Sequence, residues 1–276
     1  MIFKVTCRKC HQTYTFTTYK EYLENRFCKK CGTWLSLGQV GRSSPSDNRK
    51  YEEQVSTRID ELCRNIDLYL DYFEKTCPFG PEQLRLHLQT VNLRYKLGSV
   101  SAAITNDRFI RSLWKTLIAW GLNARGARLL SLEEFREVLL KNKDKISAWE
   151  GKRIDDTNLA VEEVAEGLWE LIDNIRVSRA YNPIVSGSKT FHHLLPELVP
   201  PIDREYTRPF FMFWSQYFQN EPKSVFVYIW EKFAFIANKV DLRQYIGRTD
   251  WNTTITKVID NAIIGYCKYH KIPKLR

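Results

Sequence analysis

Four of the seven cysteines stand in two close pairs near the start of the chain, Cys7 with Cys10 and Cys28 with Cys31. A C-x2-C pair brings two sulfurs to one side of a tight turn, and two such pairs supply a tetrahedral set of thiolates of the kind that holds zinc. Disulfides are the alternative, and a reducing compartment disfavours them. Gly32, directly after the second pair, suits a knuckle that closes through a left-handed residue. The flanks alternate as short strands do, with Ile2, Phe3 and Val5 before the first pair and Tyr14, Phe16 and Thr18 after it. Residues 1–37 therefore look like a small β zinc ribbon. Four thiolates leave no open coordination position, so one Zn2+ held there is structural rather than catalytic. Cys63, Cys77 and Cys267 stand singly and read as buried thiols.

The remainder is expected to be soluble and globular. Hydrophobic residues make up 43% of the 276 and charged residues 27%, a balance that argues against disorder. The most apolar run, Val225 to Val240, contains Glu231 and Lys232, so no membrane span is expected. No apolar signal-peptide core follows Met1, and the expected location is the cytoplasm. The net charge of +10 is uneven along the chain. Residues 1–50 carry ten basic and three acidic side chains, residues 51–203 carry 20 and 23, and residues 204–276 carry 12 and six. Two basic ends around a near-neutral middle suit a polyanion such as nucleic acid, because clustered Lys and Arg release counterions condensed on phosphates. The plainer reading of the charge is solubility. Arg8 and Lys9 lie inside the first cysteine pair, and Lys29 and Lys30 inside the second. These four cations can grip a phosphate backbone, balance the negative charge of a zinc–tetrathiolate centre, or do both.

A linker is expected over residues 38–50, where Gly38 to Asp47 lose all apolar periodicity. From residue 51 to 276 helical spacing dominates and the expectation is all-α. Ile59, Leu62, Ile66, Leu70 and Phe73 predict one helix reaching about Lys75, and a second runs from Pro81 to Leu97. A third carries Phe109 to Trp120, and Ser131 with Glu134 forms a capping box for a fourth. Val161 to Ile175, Val225 to Val240 and a last segment opening at Asp250 complete the set. Aromatic residues at helical spacing read as core.

Two places break this pattern. Tyr181 to Phe210 holds Pro183, Pro196, Pro200 and Pro201 around one short helix opening near Ser188. Polar groups concentrate there: Ser186, Ser188, Lys189, His192, His193, Asp203, Arg204 and Tyr206. Gly187-Ser-Lys-Thr190 falls short of a phosphate-binding P-loop, because Ser188 separates the glycine from the lysine. The second break is Trp120-Gly-Leu-Asn-Ala-Arg-Gly-Ala-Arg128, where Gly121 and Gly126 interrupt a helix with strongly apolar flanks.

Val185-Ser-Gly-Ser-Lys189-Thr190 followed by Pro200-Pro-Ile-Asp203-Arg-Glu-Tyr206 resembles the hairpin, lysine and aspartate of helix-hairpin-helix DNA glycosylases with an 8-oxoguanine-glycosylase-like fold. The likeness covers about thirty residues closely. It departs in having Ile184 or Val185 where the first hairpin glycine stands, and in a slightly shorter lysine-to-aspartate interval. The resemblance implies a mainly α fold, a monomer, and a duplex DNA partner with one base flipped out. It implies excision of a damaged or modified base by N-glycosidic cleavage, with abasic-site lyase activity an open addition. A hypermodified base such as glucosylated cytosine in phage DNA, and hence a defence role, is one substrate of this kind. Lys189 would be the nucleophilic amine and Asp203 the carboxylate that stabilises positive charge on the sugar. Ser186, Gly187 and Ser188 would meet phosphate, with His192, Arg204 and Tyr206 beside the DNA. Asn123 would plug the gap left by the flipped base, and Arg125 and Arg128 would reach phosphates. Plainer readings stand beside each of these. Lys189 can be a solvated lysine, Asp203 a helix cap, His192 and His193 core residues, and Asn123 the end of a helix. Without catalysis the chain reads as a zinc-ribbon nucleic-acid-binding protein, or as a protein adaptor docking through its ribbon.

Overall fold

A computed structural model describes residues 3–6, 10, 12–16, 28–31, 45–123, 128–213 and 215–273. At the N-terminus β1 (Phe3–Thr6) and β2 (Thr13–Phe16) form an antiparallel hairpin in the register Phe3 to Phe16 and Thr6 to Thr13. Cys10 falls in the connection between them.

The rest is helical. α1 (Pro45–Arg64) begins inside the segment expected to be a linker, with Pro45 at a position where its missing N–H costs nothing. α2 (Ile66–Thr76) follows after a break at Asn65, where a single helix was expected. The Asn65 side-chain amide donates to the Glu61 carbonyl, and Asn65 leaves helical backbone at φ −123°. Asparagine competes with the helix in this way wherever its side chain can reach the backbone. α3 (Pro81–Lys96) starts at its proline, while the Gln83 side chain accepts from the Gly80 N–H. α4 (Val100–Thr105) and α5 (Asp107–Leu117) are capped by Ser99 and Asn106. α5 ends in a π-helical turn, Ile118–Leu122, in which Gly121 takes φ +82°. Only glycine adopts that backbone at little cost.

Ser131 and Glu134 form the predicted reciprocal cap of α6 (Leu132–Lys141), which is followed by α7 (Lys143–Ser147). Then come α8 (Val161–Asn174), α9 (Ile184–Leu194), α10 (Thr207–Phe210), α11 (Ser215–Asn220), α12 (Pro222–Lys239) and α13 (Ile255–Tyr269). α9 opens at Ile184, four residues earlier than expected, because the Asn182 side chain accepts from the Ile184 N–H just before the first turn. α13 opens at Ile255 rather than Asp250, capped by the Thr254 hydroxyl.

α13 is the centre of the packing. Every residue from Ile255 to Cys267 is buried, so this helix has no solvent face. It lies against α2 so closely that a Cβ on Gly265 would sit 1.9 Å from the Tyr69 carbonyl oxygen. α9 meets α8 at Gly187, where a Cβ would be 2.5 Å from the Ile172 side chain. α9 also touches α3 and α5, which places its inner face beside the π turn. Among the described residues no helix is long and apolar enough to cross a membrane.

Candidate functional site

Cys10, Cys28 and Cys31 bring their sulfurs within 4.8 Å of one another, with Cys10 and Cys28 3.4 Å apart. Sulfurs on a tetrahedral ion at about 2.3 Å sit roughly 3.8 Å apart, so these three thiols have the spacing to hold one metal ion. Burial pushes the Cys28 thiol up, but hydrogen bonds from Tyr14, from Cys10 and from the Cys31 and Lys30 backbone outweigh it and bring it down to about 6. A ligand that ionises readily is what a metal requires. Cys7, the expected fourth ligand, lies outside the described residues, as do Arg8 and Lys9. Lys29 and Lys30 are exposed on the second knuckle.

The two segments that broke the helical pattern meet in space. The Lys189 ammonium on α9 donates to the Trp120 carbonyl of the π turn at 3.4 Å and lies 5.5 Å from the centre of the Trp120 ring. Leu129 bridges to Ser178, and the Leu130 N–H donates to the Val177 carbonyl, which ties the strand after the π turn to the approach to α9. Ser188 draws in the aspartate segment. Its hydroxyl oxygen accepts from the Ile202 N–H at 3.1 Å, so the residues preceding Lys189 and Asp203 are bonded to each other. One carboxylate oxygen of Asp203, Oδ1, accepts from the N–H groups of Glu205, Tyr206 and Thr207 at 2.7–3.1 Å. Those bonds fix the carboxylate and leave Oδ2 without a hydrogen bond among the described residues. Burial lowers the proton affinity of Lys189, Asp203 and Asp260 oppose that fall, and Lys257 adds to it.

Behind this pair lies a buried polar cluster. His193 Nδ1 faces the Lys189 carbonyl at 2.8 Å, His193 Nε2 faces His87 Nδ1 at 3.1 Å, and His87 Nε2 faces the Thr253 hydroxyl at 3.1 Å. A carbonyl only accepts, so His193 must carry its proton on Nδ1. His87 must then donate from Nδ1, and Thr253 must donate to His87. The chain is satisfied with both rings neutral. Burial holds His193 down to about 4 and His87 well below the ordinary value, with nearby Lys257 acting in the same direction on both. His192 donates from Nδ1 to the Val199 carbonyl at 3.0 Å. Its Nε2 is buried with no partner among the described residues, as is Oδ1 of Asp260.

Lys257 on α13 is the deepest charge, only 1% exposed. Its ammonium donates to Asp260 Oδ2 at 2.6 Å and Asn261 Oδ1 at 2.7 Å. The Asn261 amide donates in turn to the Trp251 carbonyl and to Asn252, which fixes the oxygen toward Lys257. Phe73, Phe79, Trp120 and Trp251 surround the ammonium with ring centres 5.3–5.9 Å away. Cations favour the faces of such rings once they are desolvated.

Several residues expected to touch DNA are packed inside. Ser186 and Ser188 are buried in hydrogen bonds to Ser178 and Ile202, and Gly187 is filled against Ile172. The segment read as a phosphate-gripping hairpin is instead the first turn and a half of α9. His192 and Tyr206 are buried as well. Arg204, Asn123 and Arg128 are exposed, and Arg125 lies outside the described residues. Lys257, Asp260, His87 and Trp251 are the site residues that periodicity does not single out. The available signal was the polar set Lys257, Asp260 and Asn261 in an otherwise mostly apolar segment. No family model, curated protein or solved structure matched the chain.

Proposed function

We propose that this protein is a DNA glycosylase that removes a damaged or modified base, with Lys189 as nucleophile and Asp203 as the charged partner beneath the sugar. The observation that carries the reading is that Lys189 bonds the Trp120 carbonyl while the residue before it bonds the residue before Asp203, which draws three separate elements together near one partly buried amine. Structural fastening alone does not call for a lysine on a carbonyl at that point. Burial raises the fraction of Lys189 present as neutral amine, the form that attacks carbon.

In this reading the Lys189 nitrogen lone pair attacks C1′ of the sugar. The N-glycosidic electron pair leaves with the base, which takes up a proton. The free Oδ2 of Asp203 faces the positive charge that builds on the sugar ring as that bond stretches. Ring opening then gives an imine between Lys189 and the sugar, and water restores the amine and leaves an abasic site. Flipping the base out first costs a few kcal/mol, offset by contacts to phosphate. Exposed Arg204, Arg128, Lys29 and Lys30 are suited to those contacts, and Asn123 to the vacated position in the duplex. The thiol cluster holds a structural zinc ion with Cys7 as fourth ligand. The protein acts as a monomer in the cytoplasm, on hosts' or invaders' DNA according to the base it accepts.

The test is incubation with duplexes carrying oxidised, alkylated or glucosylated bases, read by abasic-site cleavage and by borohydride trapping. Lys189→Ala and Asp203→Asn are each expected to lose at least about a hundredfold in excision rate. Asp203→Asn keeps an oxygen for the three backbone N–H groups, so its loss reports charge and not folding. Shifted mobility with DNA but no abasic product from any duplex would leave the non-catalytic binding protein as the correct reading.

A further inference from the structure

We propose that Lys257 is a positioning residue for Lys189: the two ammonium groups share the Trp120 ring, Lys257 is the fixed cation, and Lys189 is the reactive amine. This deepens the glycosylase reading by saying which of two buried lysines does chemistry and what the other is for.

The geometry separates their roles. Both nitrogens lie close to the centre of the same indole, 5.5 Å for Lys189 and 5.8 Å for Lys257. Lys257 has two strong acceptors at 2.6 and 2.7 Å, one of them a carboxylate. Those two short bonds fix its ammonium inside an aromatic cage. Lys189 has a single carbonyl at 3.4 Å, a bond that a neutral amine can still donate. Access differs too, since Lys189 is partly exposed and Lys257 is sealed in α13. A buried lysine and aspartate are a poor way to stabilise a core, because apolar residues of similar volume usually do as well or better. A fixed positive charge that shares an indole with Lys189 gives the pair a purpose. The charged and titratable groups around Lys189 are Asp203 and Glu205 from the turn before α10, His193 on α9, and Lys257 with Asp260 on α13. Lys257 is the one cation among them, the histidine being held neutral.

Lysine labelled with 13C at Cε allows each ammonium to be titrated by NMR in the full-length protein, with assignment from Lys189→Arg and Lys257→Arg. In the wild type the Lys189 midpoint should fall below the ordinary lysine value. Lys257→Gln, which keeps a hydrogen bond to Asp260, should raise the Lys189 midpoint by roughly one pH unit. Lys257→Arg should leave it near the wild-type value, because the cation remains. A Lys189 midpoint at or above the ordinary lysine value, or one unmoved in Lys257→Gln, would overturn the proposal. If Lys257→Gln does not fold, the wild-type Lys189 midpoint and the Lys257→Arg result still decide it. The readout needs no DNA. Absence of base excision with the expected titrations would therefore sink the glycosylase reading alone, and excision with unmoved titrations would sink only the role of Lys257.

Discussion

The two polar centres of this molecule are built by opposite means. Near the N-terminus the thiols of Cys10, Cys28 and Cys31 converge from two separate stretches of chain, and Lys29 and Lys30 beside them are exposed. In the helical part Lys189, Lys257, Asp260 and three histidines are held by dense packing, on elements drawn from most of the chain. The first centre is a set of thiols spaced to hold one ion, and its donors come from a short stretch of chain. The second needs the core to exist already, and it takes stability from that core by burying charge.

This contrast predicts that the two regions respond differently to the same insult. The largest effect should follow metal removal. Structural zinc sites contribute about 10–16 kcal/mol of apparent binding energy, more than a small hairpin has from any other source. A strong chelator, or Cys28→Ser, should therefore collapse the amide NMR signals of β1 and β2 while the helical circular dichroism and thermal midpoint stay close to wild type. Loss of both together would make the regions one cooperative unit and break the comparison.

The next effect concerns the buried ion pair. Lys257→Met alone leaves Asp260 unpaired and should lower unfolding free energy by about 3–5 kcal/mol, measured by urea denaturation. Lys257→Met with Asp260→Leu should recover most of that loss, because the aromatic cage accepts apolar side chains. A single variant as stable as wild type would mean that the two groups are not an ion pair in the folded state.

Acid should act mainly on the helical region. Burial holds His193 at about 4, and holds His87 and His192 well below the ordinary histidine value. Between about 6.5 and 4 the unfolded chain binds more protons than the folded one, so this contribution is full above pH 6.5 and is lost as the pH falls toward 4. For His193 alone it amounts to about 3 kcal/mol. Urea midpoints at pH 7.5 and pH 5 should show the drop, and His193→Gln should flatten it. Equal midpoints at the two pH values would mean that these rings are hydrated.

How far residues announce their roles follows the same division. Cysteine pairs are legible because metal geometry demands fixed spacing along the chain. The Ser131–Glu134 cap and the start at Pro81 are legible because they act within one turn. Lys189 and Asp203 stood out because proline and glycine had broken the helical pattern around them. Lys257 and Asp260 did not, since they sit at helical spacing within α13, and only the knowledge that this helix is buried on all sides makes them unusual. His87 was hidden for the same reason on α3. The α9 start and the Asn65 break depended on side-chain amides reaching the backbone, a choice that residue type permits but does not dictate. Trp251 is part of the core, and Trp120 is half-buried against it. They are also the walls around two ammonium groups, a second role that appears only when the helices are assembled.

The central claim is that Lys189 is the amine that reacts. Borohydride reduction during base excision, followed by peptide mapping of the trapped protein, tests it most directly. The account predicts a single sugar adduct, on Lys189, that disappears in Lys189→Ala. An adduct on Lys257 or on another lysine, or excision that proceeds undiminished in Lys189→Ala, would contradict it.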